Sequence, residues 1–390
     1  MNDKHSQPDP ELALPAAVRT RISPARSAAV AARVGIMLGV AVTICFLTGL
    51  ISHWIQHPPG WFWWPAHPVW LYRVTQGAHV ISGVVAIPLL MVKLWSVFPR
   101  LFARPLLGNP LRAVERGSIA VLVGAMLFQL VTGLFNTAQY YPWRFFFTTT
   151  HYAMAFVAIG ALAVHLAVKL PVVRAALARP DAAAATPAER ERAVVSRRVV
   201  LGSAIAAAAV AGLAVAGQTV TPLRRLAVLA PRSGQGPQGL PVNRTAGEAG
   251  VTESARDNAY RLTVTVGERT RAFSLAELAA LPQTTATLPI TCVEGWSAAA
   301  DWSGVAVRDL LAAVGDYGGG DVEFRSLERG GLFNRSVLPE THVRAADSLV
   351  ALRIGGAELD LDHGFPCRLI TPNRPGVLQT KWLSAIEVRR

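Results

Sequence analysis

The sequence predicts a multi-domain chain, an all-α transmembrane helical bundle of about five spans followed by an α+β domain. Three observations predict it. Long uncharged stretches crowd the first half of the chain. The connections between them alternate between basic and aromatic. After about residue 224 the composition turns to mixed charge with short strand and helix patterns. The 390 residues are 52% hydrophobic and 16% charged, and the imbalance sits almost wholly in that first half.

Five stretches, 34–52, 74–92, 117–138, 145–168 and 199–223, are long enough to cross a bilayer, which takes about 20 apolar residues. The last is rich in alanine and glycine and reads either as a span or as a cleaved signal. Lys4, Arg19, Arg21, Arg26 and Arg33 precede the first stretch. Lys93, Arg100, Arg104, Arg112 and Arg116 follow the second, and Lys169, Arg174, Arg179, Arg190, Arg192, Arg197 and Arg198 follow the fourth. The other two loops carry Trp61, Trp63, Trp64 and Trp70, and Tyr140, Tyr141 and Trp143, with Arg144 as their one cation. This alternation places the N-terminus in the cytoplasm and the aromatic loops outside, so a fifth span puts the C-terminal domain on the outer face of the cytoplasmic membrane. It also accounts for the net charge of +13 without nucleic acid, which is not an expected partner. Arg197 and Arg198, ahead of a weakly hydrophobic stretch, resemble a twin-arginine export signal; an ordinary cytoplasmic cluster of cations is the alternative. The organisation expected is a cytoplasmic tail (1–30), a four-helix membrane domain (31–175), a linker with the fifth span (176–224), a flexible tether (225–255, Gly- and Pro-rich over 231–250) and an outer domain (256–390).

Ionisable side chains inside hydrocarbon need a reason, and His53, His79, His151 and His165 lie in or at the ends of spans. A lone membrane histidine is most often a polar helix contact, whereas several suggest haem, because neutral imidazole ligates iron. At about 1.5 Å per residue, His79 lies roughly 8–13 Å below the outer surface, and His151 enters the fourth span from the same side. These two are the expected axial pair of a b-type haem. His165, 14 residues beyond His151, falls on nearly the same face but about 21 Å deeper. It is a candidate ligand at a second level, with Met37 or Met91 as weak partners, while His53 stands at the outer end of the first span. Gly77 and Gly83 flank His79, giving room either for a macrocycle or for close helix packing.

The run from His151 to Pro171 (HYAMAF…HLAVKLP) carries a resemblance to the cytochrome b subunits of respiratory formate dehydrogenases and hydrogenases, over about residues 30–175. The resemblance implies haem b and exchange with quinone or quinol. The first span departs from it, with His53 at the outer end in place of an inner-level histidine.

In the outer domain, 261–266 (RLTVTV) alternates as a strand ending at Gly267, and Ser274 caps a short helix over 274–281. Residues 288–292 are strand-like, 305–313 form an amphipathic helix, and 322–326, 348–352 and 385–388 are short strands. Cys45 and Cys367 read as buried small hydrophobes, with no disulfide framework. Cys292, at a strand end before Val-Glu-Gly-Trp296, is a plausible soft thiolate ligand, though a buried structural cysteine reads as well from this feature alone.

Residues 291–296 (TCVEGW), 302–311 (WSGVAVRDLL), 362–369 (DHGFPCRL) and 381–388 (KWLSAIEV), in that order, resemble the sulfite oxidase family of molybdenum cofactor enzymes. The resemblance implies that Cys292 supplies a thiolate to molybdenum beside the dithiolene of molybdopterin. It places His363, Arg368 and Lys381 near the cofactor, where positive charge suits the pterin phosphate; surface ion pairing is the alternative for Arg368 and Lys381. Sulfite-oxidising members carry basic residues directly after the metal cysteine. Here residues 293–297 are acidic and aromatic, closer to the bacterial reductase branch. The expected function is therefore a membrane-bound oxidoreductase linking the quinone pool to reduction of a small-molecule or protein-bound S-oxide or N-oxide, with substrate oxidation feeding quinone as the alternative direction. A non-catalytic electron-transfer cytochrome and a haem-free anchor bearing a binding module are the alternatives.

Overall fold

A computed structural model describes residues 26–101, 110–178, 187–229, 236–331 and 333–389. The cations expected in the first 25 residues, and Arg104 and Arg179, lie outside them. Among the described residues, five helices are long and apolar enough to cross a membrane: α1 Ala28–Gln56, α2 Leu71–Leu101, α3 Pro110–Thr137, α4 Phe147–Ala178 and α5 Pro187–Ala216. Each of α1 to α4 runs past its predicted stretch at one or both ends. The fifth stops at Ala216 rather than at residue 223. The cause is at Gly217, where a side chain would strike the carbonyl of Leu223 and the Cα of Arg224 as the chain folds back into a 3-10 turn, Thr221–Leu226.

The chain forms two compact units, and they are not consecutive in sequence. The first comprises residues 1–47 and 79–215 and the second residues 48–78 and 216–390. The expected sequential division, with a boundary near residue 224, therefore misplaces the hairpin over 48–78.

In the first unit, small residues let helices approach closely. Ala41 of α1, Ala86 and Leu89 of α2, and Ala204 and Ala208 of α5 form one buried cluster; Leu90, Ala125, Met126 and Ala158 form another. Ala204 and Ala208 of the alanine-rich α5 thus serve in packing. Other apolar side chains, such as Val40, Val121, Phe156 and Leu166, face outward, as lipid-facing positions do.

The second unit is α+β with two five-stranded sheets. One has the order β2-β1-β10-β5-β6, from Arg269–Phe273, Leu262–Val266, Leu383–Val388, Val322–Ser326 and Arg335–Leu338. The β1–β10 pair is parallel and its other pairs antiparallel. The second sheet, β3-β4-β7-β8 with β9 also on β7, uses Thr284–Thr291, Ser297–Ala306, Leu349–Ile354, Ala357–Glu358 and Arg368–Ile370. Ser274 caps the helix Leu275–Ala280 in a full capping box with Glu277. Cys367 packs in the larger core, its Sγ 3.1 Å from the hydroxyl of Tyr260, and burial pushes its thiol up to about 12.

The segment expected to be a tether is packed from residue 237 onward; 230–235 lie outside the described residues. Leu240 is buried beside Leu288 and Trp296, and Ala246 beside Trp382. Pro and Gly serve here to turn the chain against the domain rather than to loosen it.

Asn373 makes three of the hydrogen bonds that join the aromatic hairpin to this unit. Asn373, in the left-handed region at φ 54°, accepts from the backbone N–H of Tyr72 at 2.6 Å and donates to the carbonyl of Pro65 at 2.6 Å. Its own carbonyl accepts from the Trp64 indole at 2.8 Å. Asn373→Ala strands two buried groups and puts a less tolerant residue at a positive φ, so it should cost about 3 kcal/mol. The expected reading is a lower denaturant midpoint for the C-terminal unit.

Candidate molybdenum cleft and haem pair

Cys292 sits where β3 turns into β4. Its N–H donates to the carbonyl of Trp296 at 2.9 Å, and the N–H of Gly295 donates back to the Cys292 carbonyl at 3.0 Å. The turn needs Gly295 at φ 103°, a conformation other residues rarely adopt. Thr291 also bridges Pro375, and a side chain on Gly376 would press on Ile290 at 3.1 Å, so the Cys292 turn lies against the 375–380 segment.

A cleft opens here, and Cys292, Trp296, His363, Arg368 and Lys381 are all on its wall. Gly364 brings three of them together: at φ 107°, a Cβ there would stand 3.0 Å from that of Arg368 and 3.2 Å from that of Lys381. The buried His363 places Nε2 2.7 Å from the carbonyl of Pro237. Arg368 donates only to carbonyls, those of His363, Leu369 and Gln379, and stacks on Trp302 at 5.2 Å. Lys381 donates to the carbonyls of Arg244 and Asp362. Among the described residues neither cation has a carboxylate in ion-pairing range. The surface ion-pair alternative therefore does not describe them.

The electrostatics follow from that. Burial lowers Arg368 to about 9. Burial, and then the charge of Arg368, lower Lys381 to about 7. Burial and the Glu294 carboxylate push the Cys292 thiol well above its ordinary value. The carboxylates of Asp362 and Glu328, which also lines the cleft, offset part of this effect on Lys381. A site with two basic side chains out of ion-pairing contact and a shielded thiol suits an anionic cofactor carrying a soft metal, since the metal takes the place of the thiol proton. Sequence reading missed Asn243 and Arg244, which also line the cleft. They lie in the segment read as a tether, and no periodicity marked them.

The loop after the cysteine is not an open acidic surface. Glu294 is buried and accepts from the Trp296 indole at 2.9 Å. Two aromatic side chains, Trp296 and Phe333, are among the residues that line the cleft.

In the first unit, the rings of His79 and His151 stand 6.5 Å apart, centre to centre. Two imidazoles on opposite sides of one metal stand roughly 6 Å apart, given metal–nitrogen bonds of about 2 Å. Nδ1 of His79 lies 2.8 Å from the Cys45 carbonyl, and Nδ1 of His151 lies 3.1 Å from the Thr132 hydroxyl. Anchored at Nδ1, each ring offers Nε2 as the ligand atom. The pair fits haem ligation in spacing and anchoring. His165 instead lies within electrostatic reach of Lys93, Lys169 and Glu115. In the second unit, His53 stands 5.0 Å from His57, a neighbour sequence reading did not single out. Met91 points outward and Met37 is partly buried in helix packing. Gly77 makes room for Thr219, whose atoms an added Cβ would meet at 2.5 Å; this is close packing, not space for a macrocycle. At Gly83 a Cβ would meet Cys45 Sγ at an ordinary 3.5 Å.

Comparison with known proteins bears on the second unit most directly. A family described as oxidoreductase molybdopterin binding domain matches residues 249–390. The C-terminal domain of this chain belongs to that family. Sulfite oxidase of Gallus gallus is 32% identical over 165 residues, covering 34% of this chain and 35% of its own. Sulfite oxidase of Arabidopsis thaliana is 34% identical over 112 residues, 24% of this chain and 28% of its own. A protein of Azospira oryzae named "Putative protein-methionine-sulfoxide reductase subunit YedZ1" is 34% identical over 118 residues, 30% of this chain and 44% of its own. The chain thus spans less than half the length of each of these relatives. The crystal structure of the sulfane dehydrogenase SoxCD from Paracoccus pantotrophus shares 23% identity over 34% of this chain and 38% of its own, at a TM-score of 0.31, too slight a likeness to bear on fold or chemistry.

In the molybdopterin-binding domain, Lys381 gives a pH signature. Its ordinary value is about 10.4. Between about 7 and that value the unfolded chain holds a proton that the folded, cofactor-free site does not. Stability of the cofactor-free protein should therefore rise with pH from 7 to 10. Lys381→Met should flatten the rise in thermal midpoint.

Proposed function

We propose that this chain is a membrane-bound, molybdopterin-dependent oxidoreductase that passes quinol electrons through b-type haem to reduce an S-oxide or N-oxide, a small molecule or one borne by a protein. The observation that carries this reading is Cys292 on the wall of the cleft that also holds His363, Arg368 and Lys381. Molybdenum, held there by Cys292 and a pterin dithiolene, would supply two-electron oxygen-atom exchange. Arg368 and Lys381 would hold the pterin's anionic group, and His363, its Nε2 toward Pro237, would fix the segment that positions them. Trp296 and Phe333 would exclude water and accept a neutral oxide better than a sulfite anion. His79 and His151 would hold the haem iron. The second haem is assigned to His165 or His53 only as a candidate ligand. The membrane arrangement expected from the loops, with the C-terminal domain on the outer face after export led by Arg197 and Arg198, goes with this reading.

Elemental molybdenum and iron per chain test it, together with reduced-minus-oxidised spectra. The expected result is stoichiometric molybdenum with at least one iron, and bleaching of a reduced haem when dimethyl sulfoxide or trimethylamine N-oxide is added. Haem reduction by an added substrate such as sulfite would reverse the direction of flow. Iron without molybdopterin would leave an electron-transfer cytochrome, and absence of both a membrane-anchored binding module.

A further inference from the structure

Reducing a sulfoxide is a proton-consuming reaction: the sulfoxide takes two electrons and two protons, its sulfur–oxygen bond breaks, and the products are one thioether and one water. The electrons come from quinol under the function proposed above, on which this inference rests. The protons must reach a cleft whose mouth the substrate itself occupies. A second polar region of the same unit leads to that cleft from another side.

Five buried polar side chains there each carry an atom without a protein hydrogen-bond partner: His342 Nε2, Ser348 Oγ, Thr371 Oγ1, Arg374 Nε and Gln379 Oε1. None of the five is more than 6% exposed. One orphaned group in a core is an accident of packing, but five contiguous ones are not, because each would cost about 1–3 kcal/mol if left dry.

Their continuity is fixed by the fold. β7 and β9 are antiparallel with Leu349 opposite Ile370, so Ser348 and Thr371 are the next facing pair and their side chains share a face. Gln379 Nε2 donates to the backbone carbonyls of Thr371, at 3.4 Å, and Arg374, at 3.2 Å, which holds the segment that carries Thr371 and Arg374 against the cleft wall. Gln379 itself lines the cleft, as does Thr380, whose hydroxyl is 2.7 Å from that of Ser336. At the other end, His342 feels the charges of Arg374 and His67. His67 is exposed and lies 3.0 Å from Asp347, the residue before Ser348.

We infer that these groups line a file of internal water that carries protons from the His67–Asp347 surface, past His342, Ser348, Thr371 and Arg374, to Gln379 at the molybdenum cleft. Water satisfies each orphaned donor and acceptor, and one buried water typically makes about three such bonds. The buried Arg374 keeps the file from trapping a proton as a fixed charge. Burial, then Arg374 and His67, hold His342 at about 3, so its imidazole stays neutral and can relay a proton between its two nitrogens.

The test uses the full chain with its cofactors in detergent. Ser348→Ala with Thr371→Val removes two hydroxyls at nearly constant volume and leaves the cleft wall intact. Reduction of dimethyl sulfoxide by a saturating artificial electron donor should fall about tenfold in kcat, with KM and molybdenum content unchanged. The solvent isotope effect in heavy water should rise, and a small diffusible weak acid should restore the rate. A merely structural role would move neither of the last two. In parallel, nitrogen-15 spectra of labelled histidine should show the His342 imidazole exchanging with solvent rapidly in the wild type and at least tenfold more slowly in the double variant. An unchanged kcat in the variant, or His342 exchange as slow as that of a dry core, would overturn the inference. A wild type that reduces no oxide yet shows rapid His342 exchange would sink the proposed function and leave the water file standing.

Discussion

A Cys292→Ser chain should lose oxide reduction by on the order of a thousandfold or more while keeping its haem spectrum and its fold. Changes to groups that merely support a metal ligand cost about 10–100-fold, and removing the ligand costs more. The fold should survive because Cys292 is held by backbone bonds to Trp296 and Gly295, which serine can also make. A harder hydroxyl, in a site where burial and Glu294 already disfavour an anion, cannot replace a soft thiolate. Turnover and molybdenum content decide the matter, with haem absorbance as the internal control. Turnover at the wild-type rate would mean that the cysteine is a packing residue after all.

The second large effect is expected from the histidine pair. His79→Ala or His151→Ala should remove the haem absorbance and abolish quinol-driven reduction. Reduction driven by an artificial donor acting at the molybdenum site should stay within about twofold, the scatter usual for independent sites. The two variants should behave alike, since each removes one of the two imidazoles proposed to hold the iron. The second unit should keep its thermal midpoint in both, because neither histidine belongs to it. If quinol-driven turnover persisted in either variant, electrons would be entering by another route and the haem would have no part in it.

Several parts of this molecule were legible in the sequence, each for a physical reason. Membrane spans must be apolar over a fixed length, so all five helices could be seen, although α5 ends earlier than its composition suggested. Helical rise sets depth, so the nearness of His79 and His151 followed from counting residues. Strand β1 alternates cleanly, with burial at every second residue. Its partner β2, Arg269–Phe273, buries only Phe273, and an edge strand that is polar on both faces leaves no pattern to find. The cleft was legible only in part. Cys292, His363, Arg368 and Lys381 stood in recognisable motifs, whereas Asn243 and Arg244 reach it from a segment with the composition of a linker. Hardest to foresee was the hairpin over 48–78, because Asn373 holds it by backbone bonds, and backbone groups are the same in every sequence.

That hairpin has a bearing on how the catalytic part can be handled. Residues 54–70 carry five tryptophans, and Val69 packs against the core that contains Cys292 and Trp296. The Gln76 amide donates to the carbonyl of Val293, next to the cysteine, at 2.7 Å. A fragment beginning at residue 216 would expose that apolar face and leave Val293 and Asn373 facing water. The natural severing point of this protein is therefore not a point along the chain, and a secreted version of the molybdenum domain would have to carry a replacement for the hairpin with it.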